Sequence, residues 1–389
     1  MTNILVVHHD ADLYGADRSL LLALRALKRA SFHPILAVPH DGPLVEHVRR
    51  EDVEAHIGLV GKLARGVLAP HRLPGVALDV VRSQRFLAKI LAGRPIALVY
   101  TNSIAVVGGA LWAKLRGTPR IWHVREIVVA PRIAAWGFPA MLRGLGGWCV
   151  CNSNATRAWL TGAQPALAAR SSVIWNGLEP VAVPPADAVA RWRADLGFGS
   201  DHVVVALVGR VNRWKGQGVL IDAARRLKAA GRERLRYVIV GDVADSQDHF
   251  RESMLEQIRQ AGVADIVQWR PFTTEVNAVW AAADIAVVPS TEPEPFGRVA
   301  IEAMAHGLPV VASRHGGLVE IVEHEATGLL VPPGDGEALA SALARLEAAP
   351  ELRRSWGEAG RGRQIAHFGQ DQHDRQLLSL VERLCRRDA

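Results

Sequence analysis

Apolar positions in this chain fall into two alternating patterns. Short, nearly continuous runs occupy residues 4–8, 35–38, 96–100, 120–124 and 148–151. Six more follow at 203–208, 237–240, 266–269, 285–289, 309–312 and 329–331. Such runs predict strands buried on both faces of a parallel sheet. Between them lie stretches with apolar residues three and four apart. In residues 19–29, Leu20, Leu24 and Leu27 fall on one face of a predicted helix. The alternation continues to about residue 172, pauses, and restarts at Val203. It predicts an α/β chain of two doubly wound, Rossmann-like parallel-sheet halves. The pause, Ile174-Trp-Asn-Gly-Leu-Glu-Pro-Val-Ala-Val-Pro-Pro185, is rich in proline and turn residues. A first domain is expected at 1–175, a linker at 176–190 and a second domain at 190–369, followed by an amphipathic helix at about 370–389. A substrate cleft between two such halves is the expected arrangement.

Composition narrows the class. The 389 residues suffice for two ordinary domains, and 49% hydrophobic with 22% charged residues is globular. Cys149, Cys151 and Cys385 have neither C-x-x-C nor zinc spacing, so they read as buried free thiols of a reducing compartment. The N-terminus lacks a basic region and a long apolar core, which suits a first strand better than a signal peptide. Residues 95–113 carry no charge, yet Thr101-Asn102-Ser103 and Gly108-Gly109 interrupt them. They read as strand, turn and helix, not a membrane span. A cytoplasmic location is expected.

Charge is uneven. Residues 1–175 hold 21 lysines and arginines against 10 acids, and the remainder holds 25 against 29. A basic first half suits an anionic acceptor, or peripheral contact with an anionic membrane at its inner face. Residues 134–148 carry Trp136, Phe138, Met141, Leu142, Leu145 and Trp148, with Arg143 as their one charge. This segment reads as an interfacial helix, a lid over an acceptor, or core. No nucleic-acid module appears, so nucleic acid is not an expected partner.

Two motifs carry the chemistry. Glu294-Pro-Phe-Gly-Arg-Val-Ala-Ile-Glu302 places two carboxylates eight positions apart at a predicted helix start. With the helix beginning near Gly297, Glu302 lies on it, and Glu294 lies in the loop feeding it. The helix start offers free backbone N–H groups and the positive end of a dipole. Earlier, Gly209-Arg210 follows the strand 203–208, and Lys215-Gly216 precedes a helix. Arginine offers a bidentate fork and lysine a point charge to phosphate oxygens.

Both motifs, in this order and each on a strand–loop–helix, resemble those of retaining glycosyltransferases of the GT-B fold, family 4 type. The resemblance implies a nucleoside-diphosphate-sugar donor and transfer to a hydroxyl with retention of anomeric configuration. Arg210 and Lys215 would stabilise the leaving diphosphate. Glu302 would accept the ribose hydroxyls, and Glu294 a sugar hydroxyl. Pro295, Phe296 and Gly297 would frame the donor, and Arg270, Pro271 and Phe272 would lie near the base. In the first half, Gly15 resembles the family's glycine loop beside the diphosphate. His123, in Trp122-His-Val-Arg-Glu126, matches a histidine that touches the donor sugar. Tyr14, Asp17, Arg18, Asn102, Arg125 and Glu126 are candidate acceptor contacts. Asn176-Gly177 matches the family's domain crossing, and 370–386 its C-terminal helix.

The resemblance implies no cofactor and no metal. Asp10-Ala-Asp12 is a literal D-x-D, but after a first strand it reads as loop and helix-start chemistry. The acceptor is expected to be a glycan or lipid-linked group of the cell surface, with a soluble small molecule as the alternative. A catalytically silent scaffold is the alternative of another class, against which the intact Arg210, Lys215, Glu294 and Glu302 argue. No G-x-G-x-x-G follows the first strand, which disfavours a nicotinamide oxidoreductase.

Overall fold

The computed structural model describes residues 2–13, 15–63, 73–182, 184–243 and 247–386. The chain divides into two compact units. One comprises Met1–Gly177 with Gln370–Ala389, the other Leu178–Gly369.

The first unit is built on β1 (Thr2–His8), β2 (Phe32–Val38), β3 (Glu54–Ile57), β4 (Ile96–Asn102), β5 (Arg120–Val124), β6 (Trp148–Cys151) and β7 (Ser171–Val173). These pair in parallel in the order β3-β2-β1-β4-β5-β6-β7. The interior strands are apolar on both faces because helices cover both. Ile4, Val6, Leu36 and Leu98 pack one face with Leu20, Leu24 and Leu27 of helix Gly15–Arg29. Leu377, Leu380, Val381 and Leu384 of helix Gln370–Cys385 join the same core. Asp374 of that helix also accepts a 2.6 Å bond from Arg29.

Two edge strands, β3 and β7, have no counterpart among the predicted runs. Glu-Ala-His-Ile and Ser-Ser-Val are too polar to look like interior strands, and edges need not be apolar on both faces. Residues 95–113 are a strand and a helix, β4 and Gly108–Arg116. Among the described residues no helix is long and apolar enough to cross a membrane. Residues 134–148 lie in helix Arg132–Leu145 and β6. This helix faces two ways: Leu142 is in the core, while Ile133 is 65% and Trp136 60% exposed.

The second unit contains β8 (Val203–Val208), β9 (Leu235–Val240), β10 (Val267–Arg270), β11 (Ile285–Val288), β12 (Val310–Ser313) and β13 (Gly328–Val331). They pair in parallel in the order β10-β9-β8-β11-β12-β13. All six coincide with runs visible in the sequence. The segment expected as a linker at 176–190 spans the unit boundary, and its last positions belong to helix Ala186–Asp195.

In each sheet the strand order reverses once, between β1 and β4 and between β8 and β11. Loops leaving the carboxyl ends of such neighbours turn to opposite sides and leave room for a ligand. At the second reversal, Gly216 caps helix Gln217–Ala229 in a left-handed conformation, φ +82°. A Cβ there would stand 1.9 Å from the carbonyl oxygen of Pro289, just after β11. Only glycine allows both the angle and the approach.

Gly216→Ala should therefore destabilise the second unit by about 3 kcal/mol, from strain plus overpacking. Gly307 also has positive φ, +74°, but no atom within 4 Å of a Cβ. Gly307→Ala should lose only about 1 kcal/mol. Urea denaturation of the two variants checks the contrast, and equal losses would refute the packing role.

Candidate active site

The loops after β8 and β11 meet at a charged pair. Lys215 Nζ donates to Glu294 Oε1 at 3.0 Å and to Oε2 at 2.8 Å. The two side chains are only 18% and 10% exposed. Asn212 shapes the lysine loop by accepting the backbone N–H of Trp214 and Lys215 at 3.1 and 3.0 Å. The Trp214 ring lies 4.3 Å beneath the ammonium. Thr291 N donates to Trp214 O at 2.7 Å, tying one loop to the other. Arg210 is half-buried, and its carbonyl accepts from Gln217 Nε2 at 3.1 Å.

The glutamate loop is equally constrained. Ser290 Oγ donates to Glu294 Oε2 at 3.1 Å, and His315 Nε2 donates to Ser290 O at 2.8 Å. Gly317 N donates to Glu294 O at 2.7 Å. Phe296 is buried against Phe368, ring centroids 5.9 Å apart, and anchors the loop from beneath. Gly297 then caps helix Arg298–Ala305. Glu302 lies in that helix as the motif predicts, buried, and accepts 2.9 Å from Arg298 Nε one turn earlier. The structure thus joins Lys215 to Glu294 directly and ties Arg210 to the same loop.

Arg270, Pro271 and Phe272 lie elsewhere in the unit. Arg270 is the last residue of β10, an outer strand two places from the β8–β11 reversal, and Pro271 and Phe272 follow it. Arg270 donates to the Asp195 carbonyl at 2.9 Å and to Trp269 O at 3.1 Å, so it fastens the end of helix Ala186–Asp195. Phe272 is 46% exposed.

At the β1–β4 reversal of the first unit a second polar cluster forms. Asp17 is buried and shares a 2.7 Å bond with His8 Nε2. His8 Nδ1 lies 3.0 Å from both Asn102 O and Asn102 Nδ2. Arg125 donates through Nε to Asn102 Oδ1 and through Nη1 to Asn176 Oδ1, each at 2.7 Å. Its Nη2 is 3.2 Å from His123 Nδ1, which also receives a very short bond from the Tyr100 hydroxyl. Glu126 accepts from Ser103 Oγ and from Arg125 N, capping the turn after β4. Gly15 is the first residue of helix Gly15–Arg29, and Arg18 Nε donates to Leu13 O at 3.1 Å. Tyr14 lies outside the described residues.

Asp17, Asn102, Arg125 and His123 are thus brought together, through His8, Tyr100 and Asn176. None of these three is among the site residues that the sequence motifs predict. For His8 the signal was its position, a polar residue ending a predicted parallel strand. In the second unit Ser290, Arg298 and His315 were missed in the same way.

Residues 189–363 match the sequence profile of the glycosyl transferases group 1. The second unit belongs to that family. The D-inositol 3-phosphate glycosyltransferase of Saccharomonospora viridis is 39% identical over 169 residues, 42% of this chain and 39% of that protein. That of Actinosynnema mirum is 35% identical over 237 residues, 60% and 55% of the two chains. The chain therefore spans about half the length of these curated relatives. Among solved structures, Anabaena HepE in complex with UDP and glucose superimposes with a TM-score of 0.84 at 22% identity, over 98% of this chain and all of that one. Sucrose-phosphate synthase of Thermosynechococcus elongatus gives 0.80 at 24%, over 99% of both. At these identities the likeness concerns the fold, two Rossmann-like halves of the GT-B type. Glu294, Glu302, Arg210 and Lys215 all fall within the stretch that matches the group 1 glycosyl transferases.

Burial also shifts a histidine beside the polar cluster of the first unit. His9 is pushed down to about 4, first by desolvation and then by the neighbouring His8. The folded chain resists protonating His9, and the unfolded chain does not. Between about pH 4 and 6.5 the unfolded state binds more protons, so stability rises with pH across that window and is lost as pH falls through it. The full shift corresponds to about 3 kcal/mol. His9→Asn should flatten this slope in urea denaturation series from pH 4 to pH 7, taken in steps of about half a unit. An unchanged slope would place the titration elsewhere.

Proposed function

We propose that the chain is a retaining glycosyltransferase moving a sugar from a nucleoside-diphosphate-sugar to a hydroxyl acceptor. The observation that carries this is the Lys215–Glu294 pair at the strand reversal of a group 1 glycosyl transferase domain. Breaking the C1–O bond builds negative charge on the departing diphosphate. An ammonium has three donors, and Glu294 engages Lys215 through bonds to both carboxylate oxygens. A phosphate oxygen arriving there takes up the ammonium and is stabilised most when its charge is greatest. Arg210 adds a second cation, and the backbone N–H groups at Gly297 and Arg298 add neutral donors.

Glu294 then accepts sugar hydroxyls while keeping Lys215 in place. Glu302 accepts the ribose hydroxyls, with Arg298 fixing its carboxylate. By resemblance, the leaving phosphate takes the acceptor proton on the same face, so Glu294 is not assigned as a nucleophile. The two cations neutralise the leaving group in this reading, which assigns no role to a divalent metal. Uridine is the first base to test, because HepE carries UDP.

We assign the acceptor to the first unit. Its excess of cations supports an anionic or lipid-linked glycan acceptor of the cell surface, used at the cytoplasmic side of the membrane. A second reading is favoured by the relatives that act on D-inositol 3-phosphate, a phosphorylated small molecule. Peripheral membrane contact belongs to the first reading. Helix Arg132–Leu145 turns Ile133 and Trp136 outward in the basic unit, as an interfacial helix does.

UDP should raise the melting temperature more than GDP, ADP, TDP or NAD, and Glu302→Ala should abolish the shift. Lys215→Ala should lower turnover by about 2–4 kcal/mol of transition-state stabilisation. EDTA should leave turnover unchanged. Full activity in the lysine variant would refute its role, and nucleotide binding without turnover on any acceptor would favour the silent scaffold.

Sedimentation with vesicles should separate the acceptor readings. Wild type should bind vesicles containing phosphatidylglycerol and ignore purely zwitterionic ones, and Trp136→Ser should weaken that binding about tenfold. Equal binding by wild type and variant would remove this helix from the membrane reading.

A further inference from the structure

His123, one residue before the end of β5, is fully buried on the sheet face that carries Ile121. Its ring nitrogens have different surroundings. Nδ1 faces two donors, the Tyr100 hydroxyl and Arg125 Nη2. Nε2 is buried without a hydrogen-bond partner among the described residues. A guanidinium has five N–H groups and no acceptor, and it keeps its proton. Arg125 also hydrogen-bonds the Tyr100 oxygen, which directs the phenol proton toward the imidazole. Nδ1 must then present its lone pair, and the ring proton sits on Nε2.

Arg125 is itself fixed, since Asn102 and Asn176 accept from its other two nitrogens. It cannot swing away without leaving both asparagines unsatisfied. Asn102 continues to His8 and Asp17, so the line of contacts reaches from β5 to helix Gly15–Arg29.

We propose that Arg125 and Tyr100 are positioning residues that lock His123 as its Nε2–H tautomer, so that His123 serves substrate as a hydrogen-bond donor and not as a base. A buried N–H without a partner costs about 1–3 kcal/mol, which an accepting hydroxyl oxygen of a sugar relieves. The kinetic consequence rests on the glycosyl-transfer reading above, whereas the tautomer does not. The titratable and charged groups facing the ring are Arg125 from the loop after β5, Tyr100 from β4 and His373 from helix Gln370–Cys385. Desolvation and the cation of Arg125 hold His123 well below the ordinary histidine range, which agrees with a neutral ring.

The test is long-range proton–nitrogen NMR on the full chain labelled with 15N-histidine. His123 should show a pyridine-type Nδ1 and a pyrrole-type Nε2, unchanged from about pH 5.5 to 8. In Arg125→Met the ring should become a tautomer mixture and protonate more readily than in wild type, with burial still opposing the charge. Arg125→Lys should restore part of the wild-type signature. Should Arg125→Met fail to fold, Tyr100→Phe keeps the question open to decision, because it removes one donor and leaves both asparagine contacts.

In UDP-glucose hydrolysis, Tyr100→Phe should lower kcat about tenfold while UDP binding is retained. His123→Gln, whose amide N–H reaches the place of Nε2–H, should retain activity within about tenfold of wild type. A proton on Nδ1 in wild type, or an unaltered ring in both Arg125→Met and Tyr100→Phe, would overturn the proposal. So would a complete loss in His123→Gln with UDP binding intact. Failure of wild type to turn over UDP-glucose would count against that donor, and the NMR result would still decide the tautomer.

Discussion

Parallel pairing is the constraint on which the rest of this structure depends. A strand parallel to its neighbour cannot return through a tight turn, so a helix carries the chain back across the sheet. Every loop at the carboxyl edge is therefore free of the work of closing a hairpin. Where the strand order reverses, the flanking loops part, and polar groups gather there. Both units obey this rule. Lys215 and Glu294 follow β8 and β11, while His8 and Asn102 end β1 and β4.

The two reversals are filled in different ways. In the second unit an ion pair lies partly open between two loops, and the loops are stiffened by close backbone packing. Gly216 touches Pro289, and a Cβ at Gly316 would stand 2.3 Å from Glu294 O. These contacts hold both charges before any ligand arrives, which is the condition for electrostatic stabilisation without reorganisation. In the first unit the polar side chains bond one another in a buried line, and His123 Nε2 is left without a partner among the described residues. Its geometry is set by strand register, since β4 and β5 place Asn102 beside His123.

Legibility in the sequence followed the same division. Interior strands were visible because burial on both faces demands uninterrupted apolar runs, as in Val203–Val208 and Ile285–Val288. Edge strands β3 and β7 were not, because Glu54, His56 and Ser172 satisfy a half-exposed edge without that demand. The charged pair was legible because each partner sits in a short motif beside its own strand. The line from Asp17 to His123 was not, because it joins residues from five stretches of chain. His8 and Asp17 are nine positions apart, but His8 and Asn102 are separated by 94 and Arg125 and Asn176 by 51. No local spacing encodes such contacts; only the register of paired strands does.

That difference bears on how a local change spreads in each half. A motif contained in one loop keeps its geometry as long as the loop keeps its shape, so Lys215 and Glu294 are each held by their own strand–loop–helix stretch. A network assembled through register changes whenever any one strand end changes. Tyr100, Asn102 and His123 each satisfy a partner that another strand or loop supplies, so replacing one obliges the others to find new bonds or to remain buried and unpaired. A single change at this reversal therefore disturbs several buried bonds at once, whereas a change in the Lys215 or Glu294 loop is felt within that loop and its one partner.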